Sequence, residues 1–250
     1  MQRNQFISLL LVPSLMIGCH SASKRIIEKF ANGNPKVIYE LSDRNDTLNY
    51  TLNIYYPAGQ LHRTRQVTNG KYSGIITTYY ASGKIYELDS LTAACDIATG
   101  ECDGTRSIFY ENGILAERFL MKGGRFIGLS LHYDEKGHLA KAYNLIDTVN
   151  DGIYKEFYDN GKVMRLATFH MDTLVGNEYI FKENGDTLKC FSHYQGQMDF
   201  PYKIWLDDGG TVYGVHLTGE KVLWTSYDKK GNIIKKAIAV PSKSGYVIPH

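Results

Sequence analysis

The chain has 250 residues, 43 % of them hydrophobic and 22 % charged, which is enough apolar material for a folded body and too much for a disordered chain. Twenty-eight Lys and Arg stand against 26 Asp and Glu, a formal net charge of +2, so there is no basic stripe of the kind that a nucleic-acid backbone requires. Twenty-four Gly and 19 Tyr beside only six Pro point to an all-β chain of strands and tight turns.

Residues 1–18 carry one early cation, Arg3, and an apolar run from Phe6 to Ile17 that is shorter than the about 20 residues of a membrane span. They read as a secretory signal peptide. The run ends in Met16-Ile17-Gly18-Cys19, which resembles the lipobox of bacterial lipoproteins, so Cys19 is expected to carry lipid. Residues 19–25 would then be the lipidated end and a short polar tether. Buried acyl chains contribute about 0.8 kcal/mol per CH₂, enough to hold the protein on a membrane of the bacterial cell envelope. The outer membrane is expected, and the lack of acidic residues just after Cys19 favours its periplasmic side over the cell surface.

From residue 26 to 236 one pattern recurs: an aromatic residue, a short polar stretch, a glycine, then an aliphatic residue. Nine glycines mark it: Gly33, Gly59, Gly83, Gly113, Gly137, Gly161, Gly185, Gly209 and Gly231, with 24 residues as the commonest interval. Asn-Gly, Ser-Gly and Lys-Gly place a residue that tolerates positive φ at the reversal, so each copy is expected to be a β-hairpin. The residue four before the glycine is aromatic in eight copies, from Tyr55 to Tyr227, and the residue two after it is aliphatic in six. A three-residue loop with a glycine bulge makes those two positions face each other, and these eight aromatics are expected to form the core. In copies seven and eight the aliphatic residue falls one place later, at Leu188 and Val212, so their loops are expected to differ. A second landmark, nine residues before the turn, is Gly in five copies (Gly74, Gly104, Gly128, Gly152, Gly176).

A single hairpin cannot bury its aromatic face, so the copies should lie side by side in an elongated, twisted antiparallel sheet that draws its stability from neighbours. The longest interval, 30 residues, reflects a six-residue insertion before Gly104 that contains Cys95 and Cys102. In an oxidising compartment these two are expected to pair, and Cys190 is then a small strand residue. Lys24–Phe30 and the segment from Val240 to Pro249 are expected to cap the ends, residues 237–250 forming a C-terminal cap or tail.

The motif Tyr-x-x-Asn-Gly-x-aliphatic, followed by a Gly and a nine-residue run to the next turn, resembles the bacterial variant of the MORN repeat, in arrays often labelled YwqK-type antitoxins. That resemblance implies consecutive hairpins in one long sheet, with recognition as the role. Combined with the lipobox, it leads to a non-catalytic recognition scaffold on the membrane, with a protein or envelope component as partner. The alternative is an immunity protein that neutralises a toxin at the envelope.

No catalytic signature opposes this reading. Eight histidines are scattered without a His-Glu-x-x-His pair, no Cys-x-x-Cys exists, and there is no nucleophile elbow, P-loop or dinucleotide fingerprint. Neither an enzyme, a metal site nor a cofactor is expected. His132 and His138 flank one turn and are expected to be exposed strand residues. Strand alternation points Tyr56, Tyr80, Tyr110 and Tyr158 away from the core aromatics, which makes them the expected binding face.

Overall fold

The computed structural model describes residues 23–217 and 221–239. The signal peptide, Cys19 and the segment from Val240 onward lie outside the described residues. Strand structure runs from Ser23 to Ala239, slightly beyond the expected 26–236, and no helix occurs among the described residues.

Nine hairpins follow one another. They are β1/β2 (Ser23–Lys29, Pro35–Leu41), β3/β4 (Tyr50–Tyr55, Leu61–Thr68) and β5/β6 (Lys71–Tyr79, Ile85–Leu91). After the short β7 (Cys95–Asp96) come β8/β9 (Gly104–Phe109, Leu115–Lys122), β10/β11 (Arg125–Tyr133, Leu139–Ile146) and β12/β13 (Val149–Phe157, Val163–His170). The last three are β14/β15 (Thr173–Phe181, Thr187–Tyr194), β16/β17 (Gln197–Trp205, Thr211–His216) and β18/β19 (Val222–Tyr227, Ile233–Ala239). All pair antiparallel in one 19-stranded sheet. Among the described residues β1 pairs only with β2 and β19 only with β18, so the sheet is open, with these two as its edges.

Each turn obeys the sequence logic. In the second hairpin the Gly59 N–H donates to the Tyr56 carbonyl at 2.9 Å and the Tyr56 N–H to the Gln60 carbonyl at 2.8 Å, with Gly59 at φ +97°. Tyr55 then sits opposite Leu61, and the same partnership recurs from Tyr79 with Ile85 to Tyr227 with Ile233. Copy seven keeps both the turn bonds and the bulge, contrary to expectation, with Thr187 taking the place opposite Phe181. In copy eight the turn bonds persist but no bulge follows, so Val212 pairs with Ile204 and is buried.

The opposite edge is built from two-residue reversals: Asn69-Gly70, Gly123-Gly124, Asp147-Thr148, Met171-Asp172 and Gln195-Gly196, with both residues at positive φ. This is the twist-matched hairpin turn, and at Asp147-Thr148 and Met171-Asp172 it is made without glycine. Neighbours hold it there. The Thr148 N–H donates to the Phe126 carbonyl and the Asp172 N–H to the Asn150 carbonyl, each at 2.9 Å.

At Gly74, Gly128, Gly152 and Gly176 the glycine nine residues before the turn marks a second bulge, where three residues oppose one, whereas Gly104 pairs in register with Leu91. Gly74, Ile75 and Ile76 lie against Arg65, and Gly152 lies in the stretch opposite Asn144. The bulge divides the side chains between two faces. Ile76, with Val67 and Tyr72, joins an inner face that also carries Phe119, Met121, Leu145, Ile204, Val222 and Trp224, all buried. The eight aromatics before the turns lie on the other, outer face and are only half-buried, so the core is not formed by the cross-strand aromatic–aliphatic pairs, as expected from the hairpins. The reason is packing across a single layer. Inner-face side chains are long and lie over their neighbours: the Trp224 ring fills the space above Gly214, where a Cβ would sit 2.7 Å from it.

Candidate functional site

The four tyrosines expected as a binding face are brought into line, one per unit, but their tips are engaged. The Tyr56 hydroxyl donates to the Tyr79 carbonyl, Tyr80 to Phe109, Tyr110 to Tyr133 and Tyr158 to Phe181, at 2.7 to 2.8 Å. Each bond joins one unit to the next. Burial raises the phenol pKa of Tyr80 and Tyr110, as suits hydroxyls that stay protonated donors. Asparagines of the turns add a parallel rung, for Asn32 reaches the Pro57 carbonyl at 3.0 Å and Asn112 the Glu135 carbonyl at 2.9 Å.

A disulfide joins Cys95 and Cys102. It closes the inserted loop, whose strand β7 pairs Cys95 with Tyr72 of β5 in the place where β6 has ended. Cys190 is free and half-buried, and burial pushes its thiol up, away from the reactive form. His132 and His138 do not meet. His132 lies 3.0 Å from Glu117 and opposite Lys141, whereas His138 lies 3.3 Å from Asp134. Asp134, His138 and Asp159 do place ligand atoms within 4.8 Å of one another, but Asp134 already accepts the Lys136 and His138 N–H groups of its own turn.

The inner face holds groups that no local motif announced. Strand pairing sets Arg63 beside Thr78, Glu87 beside Ile108, and Asp89 between Ile76 and Arg106. Arg106 grips Asp89 with two bonds of 2.7 and 2.8 Å, while Arg63 approaches Glu87 at 3.4 Å and Asp89 at 3.6 Å. The Asp89 bond raises the Arg106 pKa. Burial, then the like charge of Arg65, lowers that of Arg63. Arg65 lies over the Tyr72 ring and donates to its hydroxyl at 2.7 Å. These side chains, with Thr99, Gly100 and Cys102 of the disulfide loop, line a cavity of about 290 Å³.

A second charged group lies farther along the same face. Arg165 donates to Glu178 at 2.5 Å, His193 meets the other oxygen of Glu178 at 2.7 Å, and the Tyr154 hydroxyl donates to Glu156 at 2.8 Å. Burial is the largest influence and works against the Arg165 charge, but the Glu178 hydrogen bond and the charges of Glu178 and Glu156 together outweigh it, so the guanidinium pKa is raised. The register that assembles both groups acts over 9 to 24 residues of sequence, and only a strand-by-strand alignment of the repeats could have found them.

The outer face is different in kind. Ile75, Leu129 and Ile153, each in the bulge eight residues before a turn glycine, are 57, 64 and 58 % exposed. Leu120 lies beside the bulge that carries Leu129 and is exposed too.

The MORN repeat variant family model matches residues 103–122 and 150–171, the segments that contain β8/β9 and β12/β13. No curated protein matches the chain. Among solved structures, the crystal structure of TcdB2-TccC3-TEV aligns with 86 % of this chain at 9 % identity and a TM-score of 0.19. The chain spans 14 % of that one's length. The chain thus contains units of the MORN repeat variant, recognised in its fourth and sixth hairpins.

Proposed function

We propose that the protein is a non-catalytic recognition scaffold of the bacterial envelope, a YwqK-type repeat array held on the membrane by lipid at Cys19. Its sheet would bind another protein or an envelope component. The observation that supports this reading is the set of outer-face residues Ile75, Leu129 and Ile153, aliphatic side chains turned to solvent by the same bulge in the third, fifth and sixth units. Bulges that re-aim a side chain are designed features, and exposed aliphatics set on one face mark interaction surfaces.

Envelope extracts passed over the immobilised full-length protein should yield a reproducible partner that the Leu129→Asp, Ile153→Asp double variant fails to retain. Equal recovery by the folded variant would reject the outer-face set as the binding surface. Cys19→Ala should abolish labelling by a fatty-acid analogue and release the protein from the membrane fraction. A variant that still pellets with membranes would reject the lipid anchor.

A further inference from the structure

The inner-face cluster has a charge imbalance. Arg63, Arg65 and Arg106 contribute three positive charges, and Glu87 and Asp89 two negative ones, leaving one positive charge over. Arg106 is matched by its two short bonds to Asp89 and lies 3.3 Å from Glu87 as well. The surplus falls on the other two arginines. Arg63 reaches carboxylates only at 3.4 and 3.6 Å, and Arg65 has the Tyr72 hydroxyl as its hydrogen-bond partner. The Nε–H of both is buried without an acceptor. Half-buried guanidinium groups short of acceptors are costly, since a desolvated donor loses water and gains nothing in return.

We propose that the cavity beneath the Cys95–Cys102 loop binds a carboxylate, with Arg63 and Arg65 as the receiving groups. Its volume of about 290 Å³ suits one side chain or chain end rather than a whole cofactor. A guanidinium fork matches the planar, two-oxygen carboxylate. A single surplus charge is neutralised by a monoanion, whereas a phosphate dianion would over-neutralise it and face Asp89 across the cavity. The apolar side chains of Ile76 and Met121 strengthen the attraction by lowering the local dielectric. This inference deepens the recognition reading by assigning the chemistry of one subsite on the partner, an acidic side chain or a free C-terminus.

The test uses the full-length chain in non-ionic detergent at low salt and three capped peptides. Acetyl-Gly-Glu-Gly-amide offers a side-chain carboxylate, acetyl-Gly-Gly-Gly with a free terminus offers the other source, and acetyl-Gly-Gln-Gly-amide offers neither. One carboxylate peptide is expected to bind at least tenfold more tightly than the glutamine peptide in calorimetric titration, and which one identifies the source. Arg65→Gln should remove that preference, and Arg65→Lys should restore part of it. If Arg65 variants do not fold, Thr99→Asp in the exposed loop should weaken carboxylate binding by placing a like charge at the mouth. Equal affinity for all three peptides, no binding by any of them, or tighter binding of inorganic phosphate would overturn the proposal. Capture of an envelope partner that survives Arg65→Gln but fails with Leu129→Asp would reject the cavity while leaving the scaffold reading intact.

Discussion

The Tyr80 hydroxyl donates to the main-chain oxygen of Phe109 at 2.8 Å, across 29 residues of sequence and the whole disulfide-closed insertion. The equivalent bonds elsewhere span 23 residues. The insertion is therefore looped out while the rung between units is preserved. Tyr80→Phe should lower stability by about 0.5–1.5 kcal/mol, the net worth of one hydrogen bond. Combined with Tyr158→Phe, well removed along the sheet, the losses should add. Urea unfolding of the single and double variants checks this, and midpoints equal to the parent's would mean that water replaces the phenol without loss.

Gly33 and Gly161 have φ of +86° and +79°, and an added Cβ would meet nothing within 4 Å at either. Valine should therefore pay only the left-handed backbone penalty, about 1–2 kcal/mol, in both places. Gly33 belongs to the edge hairpin, whereas Gly161 lies mid-array, where weakened pairing uncouples units on both sides. Scanning calorimetry of Gly161→Val should resolve two transitions against one for Gly33→Val. Identical single transitions would show that unit-to-unit coupling does not carry the stability.

Met171 holds φ +47° at the first position of its two-residue turn and is exposed. Asparagine occupies that region more readily and matches Asn69 in the second unit's turn. Met171→Asn should gain about 0.5–1 kcal/mol by easing that conformation. A melting temperature unchanged or lowered would indicate that the Asp172 bonds to Asn150 already fix the turn at no cost.

Burial, and next the charge and hydrogen bond of Tyr39, push the Tyr50 phenol up to about 12 from its usual 10.0. The folded state therefore holds this proton more tightly than the unfolded chain. Its contribution is complete below pH 10.0 and is lost as pH climbs towards about 12. Tyr154 shifts in the same direction, through burial and its bond to Glu156. The alkaline fall in melting temperature should be shallower in Tyr50→Phe than in the parent, and superimposable curves would exclude Tyr50 as a contributor.

The hairpins were legible because their chemistry is local: the glycine, the residue four before it and the residue two after it lie within seven residues of one another. The Asp147-Thr148 and Met171-Asp172 turns were not, since they lack glycine and share with the Gly70, Gly124 and Gly196 turns only a bond to a backbone acceptor more than twenty residues away. Hairpin pairing sets each aromatic before a turn against an aliphatic residue, but it does not say which face of the sheet is buried. The second bulge decides that, by giving Ile76 to the inner face and Ile75 to solvent. The role of Tyr56 and its counterparts depends on acceptors one unit away. The Arg63–Glu87–Asp89–Arg106 cluster likewise exists only once four strands are in register.

The two edges of the sheet bear on what the protein can become. β1 carries Lys24, Arg25 and Lys29 against one Glu28, and β19 carries Lys235 and Lys236 with no acid. Two copies meeting edge to edge, in any of the three combinations, bring positive charge to positive charge along the rows that would have to pair. Within one chain, by contrast, each added hairpin extends the sheet without altering either edge. Elongation is therefore open within one chain and opposed between molecules, so an array whose two outer strands have a single strand partner among the described residues is kept from joining end to end.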